Sequence, residues 1–371
     1  MRAAAFVFVT ASFVLLAVAC GPQGGNGGSG TGGAAGFGAG GSGGGSGSSG
    51  GGTGGVAGSG GGSTGTALSP TTFVFQRRID DSRDHLLAMD YATGQERVIS
   101  TLVQPNSDGW NIDGVAVSPD RTRIVIASGY GPTQEDVATG MVANRVWSMN
   151  TDGGDMLRLT PVFQGGIDTQ KVDVRNPAFT PDGQNVFYEY GEYNGGSWFV
   201  APWWVAANGS AVPSLFQTSL GCSINGNVAF NPATGDLLME HTVCIPGTKG
   251  GYYLYPAAGG APVQLVDEAG ANLERPVFSH DGSAFLFTAR SASDGIQSAY
   301  LYFMAQQQIA PVIDGASGVD IVNGAIAPDD AHIVYCVQQG SSTDLHVLDL
   351  TVDPPADKVL TNDGASCDPV F

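Results

Sequence analysis

Basic residues are scarce in this chain. Over 371 residues, 15 Lys and Arg stand against 34 Asp and Glu, a formal net charge of −19. That imbalance excludes the electrostatic footprint of a nucleic-acid binder and opposes docking on anionic lipid headgroups. Histidine is equally sparse: His85, His241, His280, His332 and His346 stand singly, at no metal-ligand spacing. No phosphate-binding glycine loop follows a strand-like run, and Gly-x-Ser-x-Gly occurs only inside a glycine-rich stretch where it means nothing. No catalytic residue, metal ligand or cofactor is assigned, and the expectation is a protein that is not an enzyme. Past residue 67 no stretch has the 3.6-residue period of an amphipathic helix, and past residue 19 no apolar run is long enough to span a membrane.

What is present begins with a processing signal. Met1-Arg2, an apolar stretch from Ala3 to Val18 and small residues before Cys20 are the marks of an export signal over residues 1–19. Cys20 after Ala17-Val18-Ala19 resembles a bacterial lipobox, although Ala17 stands where Leu is usual. Acylation of Cys20 is the expected membrane attachment, with an ordinary cleaved signal as the other reading. Several acyl chains anchor stably where one does not. Under enteric sorting habits Gly21, not Asp, points to the outer membrane.

Residues 20–67 read as a tether. Positions 21–66 hold 26 glycines, little else but Ser, Thr and Ala, and no charge. Such a composition cannot bury enough apolar area to offset its ordering entropy. As a coil it spans roughly 35–40 Å.

Residues 68–371 carry a phrase that returns about every 50 residues: Val115-Ala-Val-Ser-Pro-Asp120, Ala178-Phe-Thr-Pro-Asp-Gly183, Ala229-Phe-Asn-Pro232, Val277-Phe-Ser-His-Asp-Gly282 and Ala325-Ile-Ala-Pro-Asp329. Asp368-Pro-Val-Phe371 is the first half of a sixth copy. After each turn come short, β-branched and aromatic runs, as in Ser283–Thr288, Ala299–Met304 and Ala310–Ile313, so each copy supplies four strands. Four strands at this period make a β-propeller blade. Thr72–Phe75, His85–Asp90 and Arg97–Ile99 are strands two to four of a blade lacking its first. The fold class expected is therefore all-β, a six-bladed β-propeller closed by the C-terminal strand joining the N-terminal blade.

Ser-Pro-Asp-Gly-like turns followed by an apolar strand and then Leu-x-x-Met/Leu-Asp, as in Leu86-Leu-Ala-Met-Asp90, resemble the TolB family, with its WD40-like or PD40 repeats, over residues 72–371. The fourth copy departs, with Asn231-Pro-Ala-Thr-Gly-Asp236 for the short turn. TolB itself has an N-terminal α/β domain where this chain has glycine. The resemblance implies a propeller that takes an envelope partner at its channel mouth.

One repeat position bears on such a site. Three residues before each apolar landmark the chain reads Gly114, Asn176, Asn227, Arg275, Asn323 and Asp368, with Asp113, Arg175, Glu274 and Asp320 close by. These residues begin the innermost strand in the sequence reading. They either ring one channel mouth as a binding rim or cap the strand and bond local backbone. The candidate contact residues are Asp113, Asn176, Asn227, Arg275, Asn323 and Asp368. Arg275 and Asp368 break the pattern and are preferred.

Trp198, Trp203 and Trp204 with Tyr188, Tyr190 and Tyr193 suit either a sugar-stacking or protein hot spot or packing between sheets. Asp80–Asp84 and Asn150–Asp155 look like calcium loops but lack the spaced carboxylates and closing Glu, and read as hairpin turns. The four cysteines after Cys20 pair sensibly as Cys222–Cys244 and Cys336–Cys367, with free thiols as the alternative. The expected partner is an envelope protein or peptide segment, or a glycan. The protein is expected to be monomeric, lipid-anchored in the cell envelope and to bind no nucleic acid. A polysaccharide-acting or sugar-binding propeller, with its active site in the central cavity, is the competing reading.

Overall fold

A computed structural model describes residues 65–80, 83–103, 112–128, 145–160, 172–194, 197–216, 223–243, 249–267 and 272–371. The signal, Cys20, the tether up to residue 64, Cys222 and Cys244 lie outside them.

The described residues form six four-stranded antiparallel sheets. Blade 1 holds β1 (Thr72–Asp80), β2 (Arg83–Asp90) and β3 (Glu96–Val103). Blade 2 is β4 (Val115–Val117), β5 (Arg123–Ser128), β6 (Arg145–Asn150) and β7 (Leu157–Arg158). Blade 3 is β8 (Val172–Phe179), β9 (Asn185–Asn194), β10 (Ser197–Ala206) and β11 (Ser214–Leu215). Blade 4 is β12 (Ser223–Phe230), β13 (Leu237–Val243), β14 (Gly251–Tyr255) and β15 (Val263–Asp267). Blade 5 is β16 (Asn272–Phe278), β17 (Ala284–Arg290), β18 (Gln297–Phe303) and β19 (Gln308–Ile313). Blade 6 is β20 (Asp320–Ile326), β21 (His332–Gln339), β22 (Ser342–Asp349) and β23 (Ala356–Val359). The last strand, β24 (Ser366–Val370), pairs with β1 through Val74 and Val370, so blade 1 is completed from both ends of the chain.

The second strand of each blade is apolar on both faces because a neighbouring blade covers each side. Phe73-Val-Phe75, Ile124-Val-Ile126, Leu237-Leu-Met239, Phe285-Leu-Phe287 and Ile333-Val-Tyr335 are all buried. The core is accordingly a series of seams between blades. One joins Leu86 and Ile124, another Phe75 and Val334, a third Phe285 and Tyr252. At roughly 1.5–3 kcal/mol per fully buried large apolar side chain, these seams dominate the stabilisation.

The recurring turn is held by its own side chains. Ser118 Oγ donates to Asp120 at 2.6 Å and accepts from the Arg123 amide at 2.9 Å. Thr180 with Asp182 and Ser279 with Asp281 repeat the first contact at 2.6 and 2.8 Å. In the divergent fourth copy Asn231 replaces this pair, accepting from the amides of Ala233 and Thr234 and donating to the Gly282 carbonyl of the next blade.

Residues 65–72 run along the blade 2 turn. The Leu68 amide donates to the Arg121 carbonyl at 2.9 Å, and the Arg121 guanidinium donates to the carbonyls of Leu68, Ser69 and Thr72. Thr151 Oγ1 donates to the Thr66 carbonyl at 2.6 Å.

The strand positions follow the sequence expectation, with one correction. The innermost strands do not begin at Asn176, Arg275, Asn323 and Asp368; they begin earlier, at Val172, Asn272, Asp320 and Ser366. Only in blade 2 does the strand start beside the marked residue, Gly114.

Candidate functional site

What sits at the repeat position is a break in pairing. Register shifts fall between Arg175 and Ala178, Glu274 and Val277, and Ile321 and Asn323, and on the β1 side of the β24 pairing between Val74 and Gln76. Gly114, Asn176, Arg275 and Asp368 have φ of 135°, 48°, 44° and 56°. Glycine, Asn and Asp tolerate that left-handed region, which explains the pattern without a ligand. Arg275 does not belong to that group, and its backbone conformation costs of order 1–2 kcal/mol.

Arg275 is held by Asp368, which stands 93 positions later and is 7% exposed. Its Nη1 donates to Asp368 Oδ1 at 2.7 Å. Asn323 Nδ2 donates to the same oxygen, and Gln76 Nε2 to Oδ2. One carboxylate thus ties side chains of blades 1, 5 and 6. The side chains of Asn323 and Asp368 therefore bond to other side chains at the mouth instead of to local backbone. Asn176 donates to Glu189 Oε2 at 3.3 Å, within its own blade.

These residues line a cavity of about 620 Å³ at one mouth of the channel. Asp113, Asn176, Arg275, Asn323 and Asp368 all reach it. Asn227 is on β12, and its side chain lies outside the described residues. Of the accessory residues, Arg175 and Glu274 contribute to the wall. Asp320 instead pairs with Arg290 at 3.0 Å and accepts from the Gln297 amide at 3.0 Å.

Part of the wall lies outside the innermost strands and was not expected from the sequence. Gln76, Glu189 and Glu240 come from second strands. The missed signal was a polar residue directly after three apolar ones: Phe-Val-Phe-Gln76, Val-Phe-Tyr-Glu189 and Leu-Leu-Met-Glu240. Gln338 and Thr343 of blade 6 were missed as well.

Two buried polar atoms beside the wall have no hydrogen-bond partner: Gln76 Oε1 and the Tyr252 hydroxyl. Burial, then the nearby carboxylates Glu240 and Glu274, push the Tyr252 hydroxyl well above its ordinary pKa. It stays protonated.

Cys367 also lines the cavity and is bonded to Cys336 of blade 6, so the expected Cys336–Cys367 disulfide joins the closing strand to its neighbour. Cys336 lies within β21.

The opposite ends of the innermost strands form a second mouth of about 330 Å³ that is largely apolar. Phe179, Phe230, Phe278 and Phe371 line it, with Arg121 and His280 the ionisable residues there. The described aromatic side chains of blade 3 line neither mouth: Tyr188 is buried, Trp203 packs on Tyr190 at 5.5 Å, and Trp204 is 40% exposed beside Phe216. The side chains of Trp198 and Tyr193 lie outside the described residues. Asn150–Asp155 is a hairpin turn, with the Gly153 amide on the Asn150 carbonyl and the Gly154 amide on Asp152. Asp80 pairs with Arg83 at 2.5 Å, and residues 81–82 of that turn are outside the described set. Among the described residues no group of three or more His, Cys, Asp or Glu side chains is placed to hold a metal ion.

Fold and mouth together define a closed six-bladed β-propeller with one acidic and one apolar channel opening. Solved structures share that architecture. TolB from Acinetobacter baumannii superposes with a TM-score of 0.60 at 14% identity over 81% of this chain and 66% of that one. A putative TolB from Agrobacterium tumefaciens gives 0.52 at 12% identity, covering 80% and 91%. A chain of a nidogen/laminin complex gives 0.55 at 10% identity, covering 81% and 97%. The chain spans just under two thirds of the Acinetobacter protein. No protein-family model matches the sequence, and no curated protein matches it. The TolB-like propeller read from the repeats is the fold of this chain.

Proposed function

We propose that the protein is a non-enzymatic binding module of the bacterial cell envelope, attached through acylated Cys20. Its acidic channel mouth receives a polar segment of another envelope protein. The observation that carries this is Arg275, held in a left-handed backbone conformation with its guanidinium on Asp368 inside the mouth. Strain kept at a cavity wall fits a site better than a scaffold surface. The likeness to TolB propellers supports the same class by analogy of fold.

The test is crosslinking and capture from detergent-solubilised envelopes with the full-length protein. Asp368 is too central to the fold to serve as the control. Asn272→Trp narrows the rim at an exposed lining position instead. A partner captured by the wild type and lost with Asn272→Trp places binding at this mouth; capture that survives the substitution removes the reading. Metabolic labelling with an alkyne fatty acid, absent in Cys20→Ser, tests the anchor.

A further inference from the structure

The wall that blades 1 and 6 give to this mouth is uncharged apart from Asp368. Gln76, Asn323, Gln338 and Thr343 supply amides and a hydroxyl there, and Asp368 is paired with Arg275 of blade 5. The strands hold this wall in one piece. Gln76 pairs with Cys367 and Asn323 with Cys336, so the Cys336–Cys367 disulfide links the two amide-bearing positions. One group in the wall is left incomplete. Gln76 is only 3% exposed, and its Nε2 donates to Asp368 Oδ2. A carboxylate oxygen accepts and cannot donate, so the amide cannot be turned over, and Oε1 is a buried acceptor with no hydrogen-bond partner. Such an acceptor is costly, and a donor arriving from the cavity removes that cost.

A donor stands on the other side of the same carboxylate. Arg275 Nη1 donates to Asp368 Oδ1, and among the described residues its Nε and Nη2 have no partner, the side chain being 34% exposed. Acceptor and donor thus flank one carboxylate, Gln76 on Oδ2 and Arg275 on Oδ1. A primary carboxamide carries its N–H and its carbonyl at one end, and is the uncharged side-chain group that meets both at once.

We infer that this mouth is selective for an Asn or Gln side chain in the partner's segment, its N–H on Gln76 Oε1 and its carbonyl on the Arg275 guanidinium. The inference rests on the reading of the mouth as the binding site and adds which side chain is read. A carboxylate in that seat would set oxygen against the Gln76 oxygen, and an ammonium would set N–H against N–H. A site built to bond an N–H rejects an analogue without it more strongly than an apolar pocket rejects a missing methylene.

The probe is N-acetyl-glutamine dimethylamide, titrated into the full-length protein in detergent and followed by ligand-observed NMR. Its controls are N-acetyl-glutamate dimethylamide and the γ-methyl ester of that acid, which keeps the carbonyl and loses the N–H. Binding of the amide about tenfold tighter than of ester or acid is the expected result. Gln76→Met should weaken it about tenfold, as should Arg275→Lys, whose ammonium keeps the pair with Asp368 but loses the planar fork. Gln308→Ala, at the exposed start of β19, leaves it unchanged. Because Arg275 is partly exposed, Arg275→Lys decides if Gln76→Met does not fold. No detectable binding of the amide, equal affinity for amide and ester, or equal loss in Gln308→Ala overturns the inference. Binding of galactose that is lost in Gln76→Met, with the amide inert, assigns the wall to a glycan and overturns it too. Partner capture separates the two readings. If capture is lost with Asn272→Trp but undiminished in Arg275→Lys and in folded Gln76→Met, the site stands and the carboxamide does not. If capture survives Asn272→Trp, the site itself falls.

Discussion

Replacing Asp368 by Asn exchanges one oxygen for an NH2 at the point where three blades meet. The carboxylate accepts from Arg275, Asn323 and Gln76 and is 7% exposed, so little water stands ready to replace it. Hydrogen bonds to a charged group contribute about 1.5–3 kcal/mol each, and removing one partner of a buried pair costs about 3–5 kcal/mol. The Arg275 side chain is 34% exposed and recovers part of its hydration, which places Asp368→Asn near the lower bound, about 3 kcal/mol. Asn accepts a left-handed backbone at least as well as Asp, so conformation does not confound the result. The companion, Arg275→Asn, loses the ion pair but relieves about 1–2 kcal/mol of backbone cost, leaving a net loss of about 1 kcal/mol. A double-mutant cycle should give a coupling of about 2 kcal/mol between the two positions. The assay is urea unfolding followed by tryptophan fluorescence and near-UV circular dichroism, with midpoints shifted at constant slope. An Asp368→Asn protein within about 0.5 kcal/mol of wild type, or a coupling of about zero, refutes the hub as a structural tie.

Tyr252→Phe should raise stability by about 1 kcal/mol, since it removes a buried hydroxyl that bonds to nothing; thermal unfolding of the two proteins decides. Cys336→Ser/Cys367→Ser should lower stability by about 2–4 kcal/mol and loosen blade 1, measured as faster hydrogen exchange at β24 than at β17. His241 is buried and its pKa is lowered to about 4 by that burial. Its folded value lies below its unfolded one, so the unfolded chain binds the proton first as pH falls. Stability is full above pH 6.5 and declines by about 3 kcal/mol between pH 6.5 and 4. His241→Gln should flatten that limb of the stability–pH curve, and an unchanged limb removes the assignment.

The architecture was legible in the sequence because a blade writes its hydrophobic face four times and then repeats it. Ser-Pro-Asp turns fix where each strand pair folds back, and Phe371 could complete only the strand at Phe73–Phe75. Strand lengths were underestimated where polar residues continue the ladder, as in Gln76, Arg77 and Arg78 of β1. The mouth was half legible. Gly114, Asn176, Asn323 and Asp368 stood out as a repeated polar position, but the physical reason for most of them is a left-handed bulge, not strand capping. Glu189 and Glu240 escaped because each follows a buried apolar triplet, where a carboxylate reads as the strand's outward end. That they line one cavity with Glu274 depends on how blades 3, 4 and 5 stand side by side, a long-range fact that no local window contains.

The Arg121 clamp gives the propeller a direction. Arg121 fastens residues 68–72 at the rim of the apolar mouth, so the chain arrives at one pole of the ring while the acidic cavity opens at the other. The entry of the chain and the acidic cavity are therefore back to back. A pull along the chain is borne first by the Thr66 carbonyl on Thr151, then by three carbonyls on one guanidinium and the seam between blades 1 and 2, and it reaches the acidic mouth last.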